Sequence, residues 1–165
     1  MHSETGPENA GSDSNCYLAR LTVDDVPSLM PLEDQVQLAY WGTDNYRRFL
    51  EEYSEYFGCK AVLIEETGGE KLVGFVMARS ICENLEILKL GVLPLCQRQG
   101  IGTQLMETAY AEGIQRGCSR CFLEVRKSNQ NAIQFYYNQN FRIAGTRLNY
   151  YTDPVEDAWV MERIL

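Results

Sequence analysis

The segment from Leu85 to Arg126, LEILKLGVLPLCQRQGIGTQLMETAYAEGIQRGCSRCFLEVR, constrains the fold more than any other part of the chain. An apolar strand-like run, LEILKLGVL, stops at Pro94, and a loop containing QRQGIG, Gln97 to Gly102, follows it. The stretch Gly100 to Gly117 then places Ile101, Leu105, Met106 and Ala109 on one helical face and ends at a glycine, before RCFLEVR resumes a strand pattern. A strand, a glycine-bearing loop, a helix and a second strand in 42 consecutive residues form a strand-helix-strand unit. An α/β layer follows from that unit, with the loop at the start of its helix.

The rest of the chain reads consistently with such a layer. CYLARLT, Cys16 to Thr22, has strand character, and Asp24 or Asp25 can cap a helix running into SLMPLEDQVQLAYW. YRRFLEEYSEYF, Tyr46 to Phe57, has helical spacing, with Thr43 or Asp44 as its cap. KAVLIEE and KLVGFVMARSI are strand-like runs joined by TGGE, a hairpin signal. A short helix is predicted over Asn129 to Asn138, and FRIAGTRLNYY and AWVMERIL close the chain as strands. There is no internal repeat and no linker. A single domain over residues 16–165 is expected, preceded by a polar acidic tail over 1–15, which lacks the basic and apolar regions of a secretory signal.

Composition removes several kinds of chemistry. The only histidine is His2, in the tail, so a Ser-His-Asp triad, a Cys-His pair and a histidine-bearing zinc site are excluded from the fold. Cys118 and Cys121 form a lone CxxC without the second pair that a zinc site needs, so no metal is expected. Six cysteines without a signal peptide fit a reducing compartment, and a cytoplasmic location is expected. No apolar run approaches the roughly 20 residues of a membrane span. The net charge of −8 disfavours direct nucleic-acid binding, which needs a basic surface, and an acidic field attracts cationic ligands instead.

The loop can be tested against its rivals. A dinucleotide fingerprint needs a third glycine where this chain has Leu105, and a triphosphate loop needs a Gly-Lys pair followed by Ser or Thr. What remains is a QxxGxG turn in which Gly100 and Gly102 let an anion approach the backbone, with the amides of residues 98–103 as donors at a helix start. Taken alone, the loop is equally consistent with a glycine-rich helix start that binds nothing.

QRQGIG after a strand ending in VLP resembles the acetyl-coenzyme A pyrophosphate loop of the GCN5-related N-acetyltransferases, the GNAT superfamily. Further along, LEVRKSNQNAIQFYYNQNF, RLNYY and EDAWVM are similar to motifs of the RimI type of N-terminal protein acetyltransferase, in the same order, and YWGTDNYRRF resembles that group's substrate loop. The resemblance implies a single-domain α/β (α+β) fold: a mixed, mostly antiparallel twisted sheet with a splayed central parallel pair and flanking helices. It implies acetyl-coenzyme A as co-substrate, with pantetheine held by backbone groups of Leu90, Gly91 and Val92 and by Asn129. Arg98, Gln99, Gly100, Ile101, Gly102 and Thr103 would hold the pyrophosphate. It also implies Glu124 as general base, Tyr136 as general acid, and Trp41, Tyr150 and Tyr151 as walls of a groove for a protein or peptide N-terminus. Direct transfer in a ternary complex follows, by an enzyme that is a monomer or weak dimer. A basic ribosomal protein suits the acidic chain as substrate; a polyamine, another small amine or a protein lysine would suit it too. A coenzyme A-binding module without turnover is the alternative of a different class, against which the intact loop, Glu124, Asn129 and Tyr136 argue.

Acetyl transfer accounts for these residue types. An attacking amine must shed a proton, and a departing thiolate must gain one or be stabilised. With a pKa near 7.8 roughly a quarter of an α-amino group is neutral at pH 7.4, against about 0.1% of a lysine, so a carboxylate that relays the proton suffices for an N-terminus. Alternatives remain on the residues themselves. Glu124 lies on the same strand face as Arg126 and can simply pair with it. Glu86 is a competing base, Tyr137 adjoins Tyr136, and Trp41, Tyr150 and Tyr151 are equally explicable as half-buried surface aromatics. The family's usual glycine before Phe141 is Asn140 here, a residue that tolerates the left-handed backbone of a helix end.

Overall fold

The computed structural model describes residues 15–165, so the expected tail lies outside the described residues except for Asn15. Asn15 is tied to the sheet: its carbonyl accepts from the Ile64 amide at 2.7 Å, and its Nδ2 donates to the Ile64 carbonyl at 3.1 Å. Seven strands follow, β1 Cys16–Arg20, β2 Tyr56–Ile64, β3 Glu70–Ile81, β4 Asn84–Val92, β5 Arg120–Arg126, β6 Arg142–Thr152 and β7 Val155–Ile164. They form one sheet in the order β1-β2-β3-β4-β5-β7-β6.

Every neighbouring pair is antiparallel except β4 and β5. The helix between them, α3 Ile101–Gln115, carries the chain back so that the second strand runs parallel to the first. This parallel pairing joins only Asn84–Ile87 to Arg120–Leu123. From Leu88 and Glu124 onward the two strands part, which is the splayed pair expected of the fold. At the same place β4 bulges: Ala78 pairs with Ile87 and Met77 with Lys89, leaving Leu88 as the extra residue. The bulge brings two consecutive side chains to one side. Leu88 lines a cavity with Trp41, and the Lys89 ammonium lies 4.5 Å from the Trp41 ring centroid.

Helices cover both faces. α3 and α4, Gln130–Asn138, share one face, joined by the Gln139 Nε2 bond to Thr103 Oγ1 at 3.2 Å. α1 Val26–Gln35 and α2 Thr43–Glu51 cover the other, where the Tyr46 ring meets Phe75. Buried Val73, Phe75, Leu85, Leu105, Met106 and Met161 fill the layers between. Gly91 is required by this packing, since a Cβ there would stand 2.9 Å from Val36 and 3.2 Å from Leu38, the segment that closes over β4. Among the described residues no helix is long and apolar enough to cross a membrane.

Two predicted helices change their limits. The first stops at Gln35 rather than continuing towards Trp41. Gln37 adopts φ 55° there, and the Gln37 and Leu38 amides bond back to the Asp34 and Glu33 carbonyls. That closure normally advertises itself with a glycine, which this helix lacks. The second begins at Thr43 and ends at Glu51, and Tyr56 and Phe57 join β2 opposite Arg79 and Ala78. Their aromatic spacing is used across the helix-strand junction: Phe49 stacks on Tyr56 at 4.5 Å and 5°. At the end of α4, Asn140 takes φ 64° and the Phe141 amide bonds to the Tyr136 carbonyl, so the helix closes as expected without glycine.

Candidate active site

The QRQGIG loop leads from β4 into α3. Arg98 and Gly100 both have left-handed backbones, φ 62° and 82°, and Gly100 is the N-cap, with no side chain capping the helix. Among the described residues no partner is found for any amide from Arg98 to Thr103, whereas Gln104 already bonds to the Gly100 carbonyl. Six consecutive unpaired donors at a helix N-terminus, two of them on left-handed residues, make a concave site for an anion such as a pyrophosphate. The side chains of Gln97 and Gln99 brace the loop from behind, on the Val92 and Leu95 carbonyls. Gly102 packs beside Phe135 of α4, which fixes the loop against that helix.

The edge of β4 from Leu88 to Val92 faces the gap left by β5, so the backbone of Leu90, Gly91 and Val92 lies along the opening, with Val92 O engaged by Gln97. Asn129 caps α4, its Oδ1 accepting from the Ala132 amide at 3.1 Å. Its Nδ2 has no partner among the described residues and remains a donor. Loop amides, strand edge and Asn129 donor together fit an elongated ligand with a phosphate group and an amide arm.

On the opposite face of the sheet stand four charged groups. Glu86 and Glu124 project from β4 and β5; Arg79 binds Glu86 Oε2 through Nε and Nη2, each at 2.6 Å, and Arg147 Nη2 reaches Glu124 Oε1 at 3.2 Å. Glu124 therefore pairs with Arg147, and the expected in-strand alternative, Arg126, is occupied elsewhere. Arg126 bonds Glu156 and the Asp153 and Pro154 carbonyls, and its guanidinium lies 4.1 Å from the Tyr151 ring centroid. Burial raises the Glu124 carboxyl above the usual range, Arg147 opposes the shift, Glu86 adds to it and Arg79 opposes it. A carboxylate whose pKa is raised is a stronger base than an ordinary glutamate and suits the role of proton acceptor.

Tyr136 sits within the α3/α4 layer, buried, with its ring edge-on to Phe135 and Phe141. Burial drives its phenol well above the usual tyrosine range, with Tyr151 and Cys121 adding to the shift. Such a hydroxyl keeps its proton and is chemically a donor. Tyr137 points to solvent instead. Tyr150 and Tyr151 meet edge-on at 5.1 Å on β6. Burial raises both phenols; Tyr151 is pushed up to about 12, and the Tyr150 phenol feels the charges of Glu124, Arg147, Glu86 and Arg79. Trp41 lines a cavity of about 240 Å³ with Asn45, Phe49, Tyr56, Arg79 and Leu88. Arg79 is thus shared between the Trp41 side and the Tyr150 side, with Glu86 and Glu124 between them as a floor.

Several residues here were not singled out in the sequence. Arg79 and Arg147 orient the two carboxylates. Behind Trp41, the Lys89 ammonium is buried on Glu33 and the Ala39 carbonyl, and the Tyr46 hydroxyl donates to Glu33 Oε1 at 2.6 Å. Lys89, a charged residue within the apolar run LEILKLGVL, was the one available signal for this cluster. Among the described residues no group of three metal-binding side chains occurs.

Comparison with known proteins agrees with this geometry. Over 146 residues the chain is 29% identical to the [ribosomal protein bS18]-alanine N-acetyltransferase of Escherichia coli strain K12, covering 87% of this chain and 94% of that protein. It is 28% identical over 143 residues to a putative [ribosomal protein bS18]-alanine N-acetyltransferase of Bacillus subtilis strain 168, covering 86% and 90%. The crystal structure of the ribosomal-protein-S18-alanine N-acetyltransferase from Escherichia coli superposes with a TM-score of 0.76 at 28% identity, over 90% of this chain and 93% of that one. Residues 26–141, which run from α1 through the parallel pair and the loop to the end of α4, match the acetyltransferase (GNAT) family, and the chain belongs to that family of N-acetyltransferases.

Proposed function

We propose that the protein transfers the acetyl group of acetyl-coenzyme A to the N-terminal α-amino group of a protein, directly, within a ternary complex. The observation that carries this reading is the placement of Glu124 at the point where β4 and β5 part: the loop amides of residues 98–103 lie on one side of the sheet, and an acceptor groove floored by Glu86 and Glu124 on the other. The relatives named for alanine N-acetylation of a ribosomal protein support a protein N-terminus as acceptor.

Each residue then has a task. The amides from Arg98 to Thr103 hold the pyrophosphate, and the β4 edge at Leu90, Gly91 and Val92 with the Asn129 Nδ2 aligns the pantetheine arm. When bound, acetyl-coenzyme A supplies an electrophilic thioester carbonyl and a thiolate leaving group. Glu124 accepts the proton that the α-ammonium sheds, and burial, by raising its carboxyl above the usual range, makes it a better base than an exposed glutamate. Glu86, held by Arg79, whose Nη1 in turn donates to the Tyr56 hydroxyl, shapes the field at the floor. Tyr136 keeps its proton until the thiolate departs. Trp41, Tyr150 and Tyr151 line the groove and exclude water from the peptide's first residues.

The decisive experiment mixes the protein with acetyl-coenzyme A and a panel of short peptides differing in their first residue, and follows free thiol and the site of acetylation by mass spectrometry. Acetylated α-amino groups are expected. Thiol release at the background rate with every amine, or acetylation of internal lysines alone, would overturn the reading.

A further inference from the structure

Glu86 and Glu124 are held very differently. Arg79 grips Glu86 with two nitrogens at 2.6 Å, its side chain is 32% exposed, and Nη1 also reaches the Tyr56 hydroxyl at 3.3 Å. Arg147 offers Glu124 a single nitrogen at 3.2 Å from a side chain that is 56% exposed. An ion pair so open to water contributes about 0–1 kcal/mol, so breaking it costs little. Arg147 also comes from an irregular stretch of chain: the pairing of β6 with β7 is interrupted between Arg147 and Tyr151, and Asn149 there has φ 50°.

Charge balance makes the difference consequential. The four groups sum to zero with Arg147 in place, and Tyr150 and Tyr151 beside them are neutral phenols. Arg126, on the same strand, is matched by Glu156, and the β7 residue opposite Glu124 is the apolar Val160, with Glu162 two places further along. An α-ammonium arriving at the floor would leave the site one positive charge in excess, in a half-buried setting where that is costly. Departure of Arg147 restores the balance. While paired with Glu124 the guanidinium already lies 5.3 Å from the Tyr150 ring centroid, so that ring is at hand as a second partner.

We infer that Arg147 is a placeholder for the acceptor's ammonium group: it neutralises and aims Glu124 in the free enzyme, and the incoming α-amino group displaces it. This rests on the N-terminal acetyltransferase reading for the identity of the acceptor. Arg147 is on this account a positioning residue that touches Glu124 and competes with substrate, and its removal tightens acceptor binding while depriving the carboxylate of a cation.

The test compares wild type with Arg147→Gln and Arg147→Lys in two ways. Steady-state kinetics with a free-amine peptide of the panel that the wild type acetylates should give an acceptor KM about 3- to 10-fold lower in Arg147→Gln, as expected for loss of a competitor worth about 1 kcal/mol. Arg147→Lys should stay near wild type. Carbon-detected NMR titration of the Glu124 carboxyl, without any acceptor, should show it protonating at higher pH in Arg147→Gln than in the other two proteins. An acceptor KM at or above the wild-type value in Arg147→Gln, or an unmoved Glu124 titration, overturns the inference. Wild type that acetylates no N-terminus instead defeats the function on which it rests, and the titration is still read in that case. Arg147 is mostly exposed, so unchanged melting temperatures and acetyl-coenzyme A affinities confirm that the variants are folded.

Discussion

At the scale of single residues, burial raises both proposed proton-transfer groups, and the same shift serves a different task in each. Glu124 is raised by burial and can act only when ionised, so acceptor kcat/KM should fall as pH drops through that raised pKa, at a higher pH than an ordinary glutamate would give. Glu124→Gln should abolish this acid limb and lower kcat about 10²- to 10⁴-fold with acetyl-coenzyme A affinity unchanged, as read by thiol release across pH. The same shift has a stability sign. A carboxyl with a raised folded-state pKa opposes folding above that pKa, and the penalty vanishes as pH falls through it; Glu124→Gln should therefore raise the melting temperature at pH 7–8 and leave it unchanged near pH 4. Tyr136, pushed upward by burial, stays protonated throughout, so Tyr136→Phe should lower kcat about 10²-fold without altering the alkaline limb of the profile. These groups were legible as residue types at motif positions. The partner of Glu124 was not, because Arg147 lies 23 residues away on a strand two positions across the sheet, whereas Arg126 was the neighbour visible along the chain.

At the scale of elements, period-2 patterning and proline or glycine stops located the strands and α3, while the α1 and α2 boundaries were hidden. Gln37 closes α1 without a glycine, and Tyr56 and Phe57 leave the helical pattern because β3 offers them a pairing partner. The EDA motif was legible as a pattern, and its physical task emerges in the fold. Glu156 accepts from the Ser128 amide at 2.6 Å and from its hydroxyl, while Asp157 accepts from the Asn149 amide at 2.9 Å and pairs with Lys127. Two adjacent carboxylates at the start of β7 thus fasten the loop bearing Asn129 and the β6 irregularity bearing Tyr150. The QRQGIG loop divides its two glycines similarly. Gly100 is left-handed, so Gly100→Ala should cost about 1–2 kcal/mol in denaturant unfolding and weaken acetyl-coenzyme A binding measured by calorimetry. Gly102 has helical backbone and room for a methyl group in ordinary contact with Phe135, so Gly102→Ala should leave stability nearly unchanged.

For the whole molecule, the proposed acceptor groove depends on how the α1/α2 layer is anchored to the sheet, and the anchor is ionic. Glu33 from α1 and Lys89 from β4 are the two buried charged side chains among the described residues, and Glu33 Oε2 has no hydrogen-bond partner there. Lys89 binds Glu33 and the Ala39 carbonyl and lies beneath the Trp41 ring, while Tyr46 of α2 donates to the same Glu33 oxygen, Oε1. One ammonium therefore connects both helices, the loop that carries Trp41 and the bulged strand whose far end meets the gap. Removing one partner leaves an uncompensated charge in the interior, so Lys89→Met should cost about 3–5 kcal/mol in chemical denaturation. Pairing it with Glu33→Leu should recover most of that loss, because two apolar groups need no counter-ion. Function should separate from stability in the recovered double variant. The loop amides and Asn129 do not touch the cluster, so acetyl-coenzyme A affinity should survive, whereas the Ala39–Trp41 segment loses its hydrogen-bond anchor and the acceptor KM should rise. An acceptor KM equal to wild type in a fully stable double variant would show that apolar packing alone holds the Trp41 wall.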